Sequence, residues 1–197
     1  MTRALCLLVL LYLFSPLASA QTMNTGLGYC IDGIGEASST LRSQVAAHTA
    51  GRFYGNPPRY DPATKIIYVP PYSCDSFDTV GLNRTLGYLS HELGHHVAGI
   101  PDISAPLTRD QYITKMCVWE ANAVSNNGVV RGEISGATSG SIVIPLIAQN
   151  ESTMLSMLAS GKSLQEIGQT FCDNNTNSTG KTYTQANGDY YDANYPW

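Results

Sequence analysis

Leu82, Leu86, Leu89, Leu93 and Val97 recur at intervals of three and four residues, the spacing that stacks side chains on one face of an α-helix. The pattern predicts a long helix over 79–98 with an apolar stripe turned to a core, ended by Gly99 and Pro101. Gly87 and Gly94 inside it cost about 1 kcal/mol each relative to Ala, and Gly94 leaves room for another backbone. A second helix opens on Thr108, with Gln111 three residues on, a capping box. Its inward stripe reads Ile113, Met116, Trp119/Glu120, Ala123 and Val124, and Asn126-Asn127-Gly128 is expected to close it near Ser125. Upstream, Ala37, Leu41, Val45 and His48 share a stripe over 36–50, with Gly51 as the stop. Ile66-Ile67-Tyr68-Val69 is a short β-branched run followed by Pro70-Pro71, which suits an edge strand or a sharp exit.

Downstream the pattern weakens. Residues 132–140 read as loop, and Ile142 to Ile147 is apolar but equally compatible with a strand or a buried helix. Two short helices are expected over 152–160 and 164–171, the latter capped by Ser163 with Glu166 three residues on. From Asp173 to Trp197 the chain is rich in Asn, Thr, Gly and Tyr. This stretch is expected to be a poorly ordered tail with tyrosine-mediated docking. No internal repeat is visible.

The first 20 residues stand apart: Arg3, then an apolar run from Leu5 to Phe14, Pro16, and an Ala18-Ser19-Ala20 cleavage site. That is the pattern of a secretory signal peptide, too short to anchor in a bilayer. The expected organisation is a signal peptide over 1–20, one domain over 21–172 and the tail. Export makes the four remaining cysteines, Cys30, Cys74, Cys117 and Cys172, candidates for two disulfides. Of the three possible connectivities, Cys30–Cys172 with Cys74–Cys117 is favoured, because the first bridge would tie the termini together. The balance of 11 Lys+Arg against 15 Asp+Glu, with no basic cluster, argues against nucleic acid or an anionic membrane surface as the main partner. Four N-x-Ser/Thr sequons begin at Asn83, Asn150, Asn174 and Asn177; they acquire meaning only in a eukaryotic source. Oligomeric state is not readable.

The chemistry is concentrated in His91-Glu92-Leu93-Gly94-His95. Residues four apart on a helix lie one above the other, so the two imidazoles can reach one metal ion, with Glu92 beside them to act on a metal-bound water. A catalytic zinc takes three protein ligands. Glu120 is the best third, because it sits mid-helix on an apolar stripe where a lone charge would be costly; Glu133 is the reserve. His96 points about 100° away from His95 and reads as a packing residue. Cys117, one turn before Glu120, is better used in a disulfide.

From the strand through the His91–His95 motif to the helix bearing Glu120, the chain resembles the gluzincin branch of the zincin metallopeptidases. The resemblance covers roughly residues 59–128, and the Trp119–Ala123 segment is also similar to compact secreted and toxin-type metallopeptidases. It implies an α+β fold, zincin-like, with an active-site helix packed on a small sheet. It also implies a single zinc ion held by His91, His95 and Glu120, Glu92 as general base, and a protein or peptide substrate lying along the sheet edge. Metzincins carry a third histidine, where this chain reads His96-Val97-Ala98-Gly99-Ile100-Pro101. Aspzincins carry a Gly-Thr-x-Asp segment, absent here. Thermolysin-like gluzincins place an acid four residues after the ligand glutamate, where this chain has Val124. The resemblance also implies a Tyr or His to stabilise the oxyanion, for which Tyr112, Tyr183, Tyr190 and Tyr191 are candidates. The leading expectation is a secreted zinc metallopeptidase. The alternatives are a secreted, non-catalytic zinc-containing binding module and a metallohydrolase acting on cell-wall peptide.

Overall fold

The structure is a computed structural model and describes residues 22–195; the signal peptide expected over 1–20 lies outside the described residues. The chain is α+β. Two short helices, α1 (Tyr29–Gly35) and α2 (Ser39–Ala47), precede three strands, β1 (Arg52–Tyr54), β2 (Arg59–Tyr60) and β3 (Ile67–Val69). Then come α3 (Thr79–Ala98), α4 (Arg109–Ala137), α5 (Glu151–Ala159), α6 (Leu164–Asn174) and α7 (Tyr183–Asn194). Among the described residues no helix is long and apolar enough to cross a membrane.

The sheet order is β1-β3-β2, with β3 parallel to β1 and antiparallel to β2. The Ile66–Val69 run is therefore the central strand rather than an edge. Pro70 and Pro71 lie just beyond the paired residues and remove no ladder hydrogen bond. Ile67 and Val69 are fully buried against Leu86, Leu89 and Leu93 of α3. The α3 stripe stops one turn early, since Val97 is 61% exposed. Asp78 caps this helix by accepting from the Gly81 amide at 2.9 Å.

The run expected as one helix over 36–50 is split. Glu36 ends α1, and α2 starts afresh behind Ser38, whose hydroxyl accepts from the Leu41 amide at 3.0 Å. It stops at Ala47 because His48 is taken by tertiary bonds: its Nε2 lies 2.8 Å from the Lys65 carbonyl and its Nδ1 3.0 Å from the Arg52 guanidinium.

α4 does not close at Asn126-Asn127-Gly128 but runs on through the expected loop to Ala137. Val130 and Ile134 continue its apolar stripe, both fully buried. The two asparagines spend their amides on tertiary contacts instead of capping. Asn126 donates to the Ser90 carbonyl, while Asn127 donates to the Ser90 hydroxyl and the Pro145 carbonyl and accepts from the Ile147 amide. Those last two bonds hold 142–147, which is neither strand nor helix, against α3 and α4.

Glu133 is no ligand; it clamps the start of α2. It accepts from the hydroxyls of Ser38 (2.5 Å), Ser39 (3.1 Å) and Thr40 (2.8 Å) and from the Thr40 amide (3.0 Å). Partial burial pushes its carboxyl up, but these donors outweigh it and hold the group below its ordinary value of 4.5. A carboxylate at a helix N-terminus with four donors is stabilising. Glu133→Ala is expected to cost about 1–3 kcal/mol, or about 2–4 °C of Tm per kcal/mol, in a calorimetric scan. Because the folded carboxyl is depressed, its contribution is present above pH 4.5 and fades as pH falls below that value. An unchanged Tm would refute the clamp.

The disulfides are Cys30–Cys74 and Cys117–Cys172, not the pairing expected from the sequence. The first ties α1 to the segment leading into α3. The second joins α4 to α6, where Gly168 lets the helices touch: a Cβ there would sit 2.4 Å from the Cys117 carbonyl oxygen. The poorly ordered tail is also corrected. α6 reaches Asn174, and α7 begins with a Thr182/Gln185 capping box. Docking through tyrosine holds: the Tyr191 hydroxyl donates to the Leu107 carbonyl at 2.5 Å, beside an Arg109–Asp192 ion pair at 3.1 Å.

Candidate metal centre

α3 and α4 cross at Gly94. A Cβ at that position would lie 2.6 Å from the Ala123 Cα, so the two backbones are in contact and no larger residue fits. This approach brings Glu120, one turn before Ala123, over the face of α3 that carries both imidazoles. His91 Nε2 is 3.6 Å and His95 Nε2 3.5 Å from the same oxygen, Glu120 Oε2. The rings of His91 and His95 stand nearly perpendicular, 5.0 Å apart. All three side chains are buried, and their candidate ligand atoms lie within 4.8 Å of one another.

These residues fit a metal ion. Bonds of about 2.0–2.1 Å in a tetrahedral site put neighbouring ligand atoms about 3.3–3.4 Å apart. The observed spacings of 3.5 and 3.6 Å approach that value and are longer than ordinary hydrogen bonds. The Nδ1 atoms of both histidines are buried without a hydrogen-bond partner among the described residues. They are the ring atoms opposite the Nε2 atoms that face Glu120, so the fit to an ion rests on the Nε2–Oε2 spacing and on the burial of the three donors. Two imidazoles and one carboxylate, with no thiolate, make a borderline donor set.

The surroundings hold the ligands in place. Trp119 packs on the His95 ring at 4.2 Å and donates its indole N–H to the His95 carbonyl at 3.2 Å. Phe171 of α6 lies nearly parallel to His91 at 6.3 Å. Position 124, where thermolysin-like gluzincins carry an acid, holds a fully buried Val packed with Leu146, Met154, Ile167 and Phe171. No carboxylate therefore orients either histidine from that side.

Burial pushes the Glu120 carboxyl up, but His95 and His91 together outweigh it and bring the group down to about 2. Glu92 behaves in the opposite way. Burial, aided by the Glu120 charge, raises it to about 7, against the opposing pull of His91 and the Tyr60 amide. A dication held by the three donors would draw Glu92 back towards its charged form.

His91 and Glu92 line a cleft of about 970 Å³. Its walls are the β1–β2 turn (Pro57, Pro58), the 143–149 segment and the α6–α7 junction. Tyr183 reaches the same cleft, and its hydroxyl is pushed up by burial and by the charges of Glu120 and Glu92. The other tyrosine candidates lie elsewhere: Tyr112 packs on Tyr190 and Tyr191 at 6.0 and 5.6 Å, around a separate apolar pocket. His96 packs on His48 at 4.6 Å and Tyr60 at 5.8 Å, as expected of a packing residue. Cys117 is in its disulfide. Of the four candidate tyrosines only Tyr183 lines the cleft with His91 and Glu92; Phe171, which packs on His91, is not singled out in the sequence, where the Ser163 capping box of α6 marks only an ordered element. Comparison with family models, curated proteins and solved structures gives no match to this chain.

Proposed function

We propose that this chain is an exported zinc metallopeptidase. The observation that carries the reading is the buried convergence of His91, His95 and Glu120 beside a cleft onto which Glu92 opens. The donor set suits zinc, and the two disulfides suit an oxidising compartment. When bound, zinc supplies a Lewis acid and lowers the pKa of the water it carries to about 7.

The chain's own residues do the rest. His91, His95 and Glu120 hold the ion, and the single negative charge of Glu120 leaves the centre with a net positive charge that favours a developing anion. Glu92 takes the proton from the attacking water at a carboxylate oxygen and returns it to the leaving amine. The Tyr183 hydroxyl donates a hydrogen bond to the carbonyl oxygen as negative charge grows there. The apolar packing of Trp119 and Phe171 shields the centre from bulk water.

The test is metal analysis paired with a cleavage assay on the purified protein. About one zinc per chain is expected, with cleavage of a denatured protein substrate that a chelator abolishes and stoichiometric zinc restores. A cell-wall peptide substrate, run in parallel, separates the two hydrolase readings. Folded, zinc-loaded protein that cleaves neither substrate would overturn the proposal.

A further inference from the structure

The cleft extends well beyond the metal ligands. Val80, Arg84, Tyr88 and His91 all line it, at intervals of four, four and three residues along one face of α3. α3 is thus the floor of a groove that runs from the metal centre back towards the start of the helix. Arg84 lies seven residues before His91, about 10 Å at 1.5 Å per residue. An extended peptide covers that distance in about three residues.

The charges along this groove are unequal in their availability. Arg131, on the opposite wall, is occupied: it pairs with Glu151 at 3.2 Å and donates to the Ile144 carbonyl. Glu151 is occupied in turn, accepting also from the Leu146 amide at 3.0 Å. Glu92 lies buried at the metal end. Arg84 makes no ion pair with any described carboxylate; its guanidinium sits 5.7 Å from the centre of the Tyr88 ring. Arg84 is exposed where it lines the cleft, so its N–H donors are open to a ligand. Asn56 and Asn83 line the same end and add neutral amide donors. In a chain with an acidic excess of four charges, an uncompensated cation inside the cleft is a local feature rather than an overall field.

We propose that Arg84, with Asn56 and Asn83, forms a carboxylate subsite, so that the preferred substrates are peptides with an acidic group about three residues from the bond cut. The carboxylate is either an Asp or Glu side chain or a free C-terminus. The planar guanidinium accepts both in the same two-point manner. This rests on the peptidase reading for the word substrate, but not for binding.

The experiment uses blocked decapeptides of one common neutral sequence carrying a single Glu, Gln or Lys at each position in turn. A second set ends in a free acid or an amide at each length. With zinc-loaded wild-type protein, kcat/KM is expected to be about fivefold higher for Glu than for Gln at one position about three residues from the cut, as for a strong exposed ion pair. The preference should shrink with added salt. It should vanish in Arg84→Ala and reverse to Lys in Arg84→Glu, while Arg42→Glu, the same charge change outside the cleft, retains it. A preference for the free-acid set instead of internal Glu assigns the C-terminal carboxylate as the ligand. Equal rates for Glu, Gln and Lys at every position, with no advantage of free acid over amide, overturn the subsite, as does a Glu preference that survives in Arg84→Glu. Fluorescence anisotropy of the same peptides on zinc-loaded Glu92→Gln protein reads binding without chemistry. The Arg84-dependent preference can therefore stand or fall even if no peptide is cut.

Discussion

Glu92→Gln is expected to lower kcat by about 10²–10⁴ while zinc content stays at one ion per chain. The amide has nearly the same shape as the carboxylate, so the buried site keeps its packing. It cannot take up the proton of the attacking water, and the loss corresponds to about 2.7–5.4 kcal/mol of transition-state stabilisation. KM should change little if, as proposed, Glu92 acts on the water and not on the peptide. Steady-state kinetics on a denatured protein substrate, with metal analysis of the same sample, makes the measurement. Full activity in the variant would remove Glu92 from the reaction. Loss of the zinc along with activity would instead assign Glu92 to the binding of the ion.

Glu120→Ala has the second large effect, and it acts on the metal. The carboxylate supplies one of three donors and the only formal negative charge in the set. Removing even an outer partner of a metal ligand commonly costs about 10–100-fold in affinity, and loss of a direct donor should exceed that. The readout need not depend on activity. At a zinc concentration about 100 times Kd, binding should stabilise the wild-type fold by about 2.7 kcal/mol, a rise in Tm of roughly 5–11 °C. The variant should show almost none of that rise at the same zinc concentration. Glu120→Gln, which keeps the volume and one carbonyl donor, should fall between the two. A zinc-dependent shift in Glu120→Ala equal to that of the wild type would exclude position 120 from the site.

The parts of this molecule that were readable in the sequence are those decided locally. The bounds of α3 follow from an apolar period with Gly99 and Pro101 beyond it, and the starts of α4 and α6 follow from capping boxes. The grouping of His91 and His95 follows from helix geometry, and the place of Glu120 from the cost of a lone charge on an apolar stripe. What depended on distant partners was hidden. Asn127 has the local character of a helix stop, yet its amide is consumed by Ser90 and Pro145. β1 and β2 are three and two residues long, too short to show a period, and exist because they pair with β3. The disulfide pairing depends on which helices touch, and the contact at Gly168 is visible only in three dimensions. Tyr183 is separated from Tyr112, Tyr190 and Tyr191 by the path of the chain rather than by anything in its neighbours.

Cys117, Glu120, Asn127, Arg131 and Glu133 all project from the uninterrupted rod of α4. Between them they serve the α6 bridge, the candidate metal cluster, the two ties to the cleft wall and the anchor of α2. Inserting or deleting a single residue anywhere along that run would turn everything beyond it by about 100° and uncouple several of these tasks at once. Point changes at the exposed positions between them carry no such penalty. Descendants of a common ancestor would then drift in composition while preserving the intervals of three, seven, four and two residues that separate these positions. That ruler, laid beside His91-Glu92-Leu93-Gly94-His95, would identify kin that overall resemblance misses.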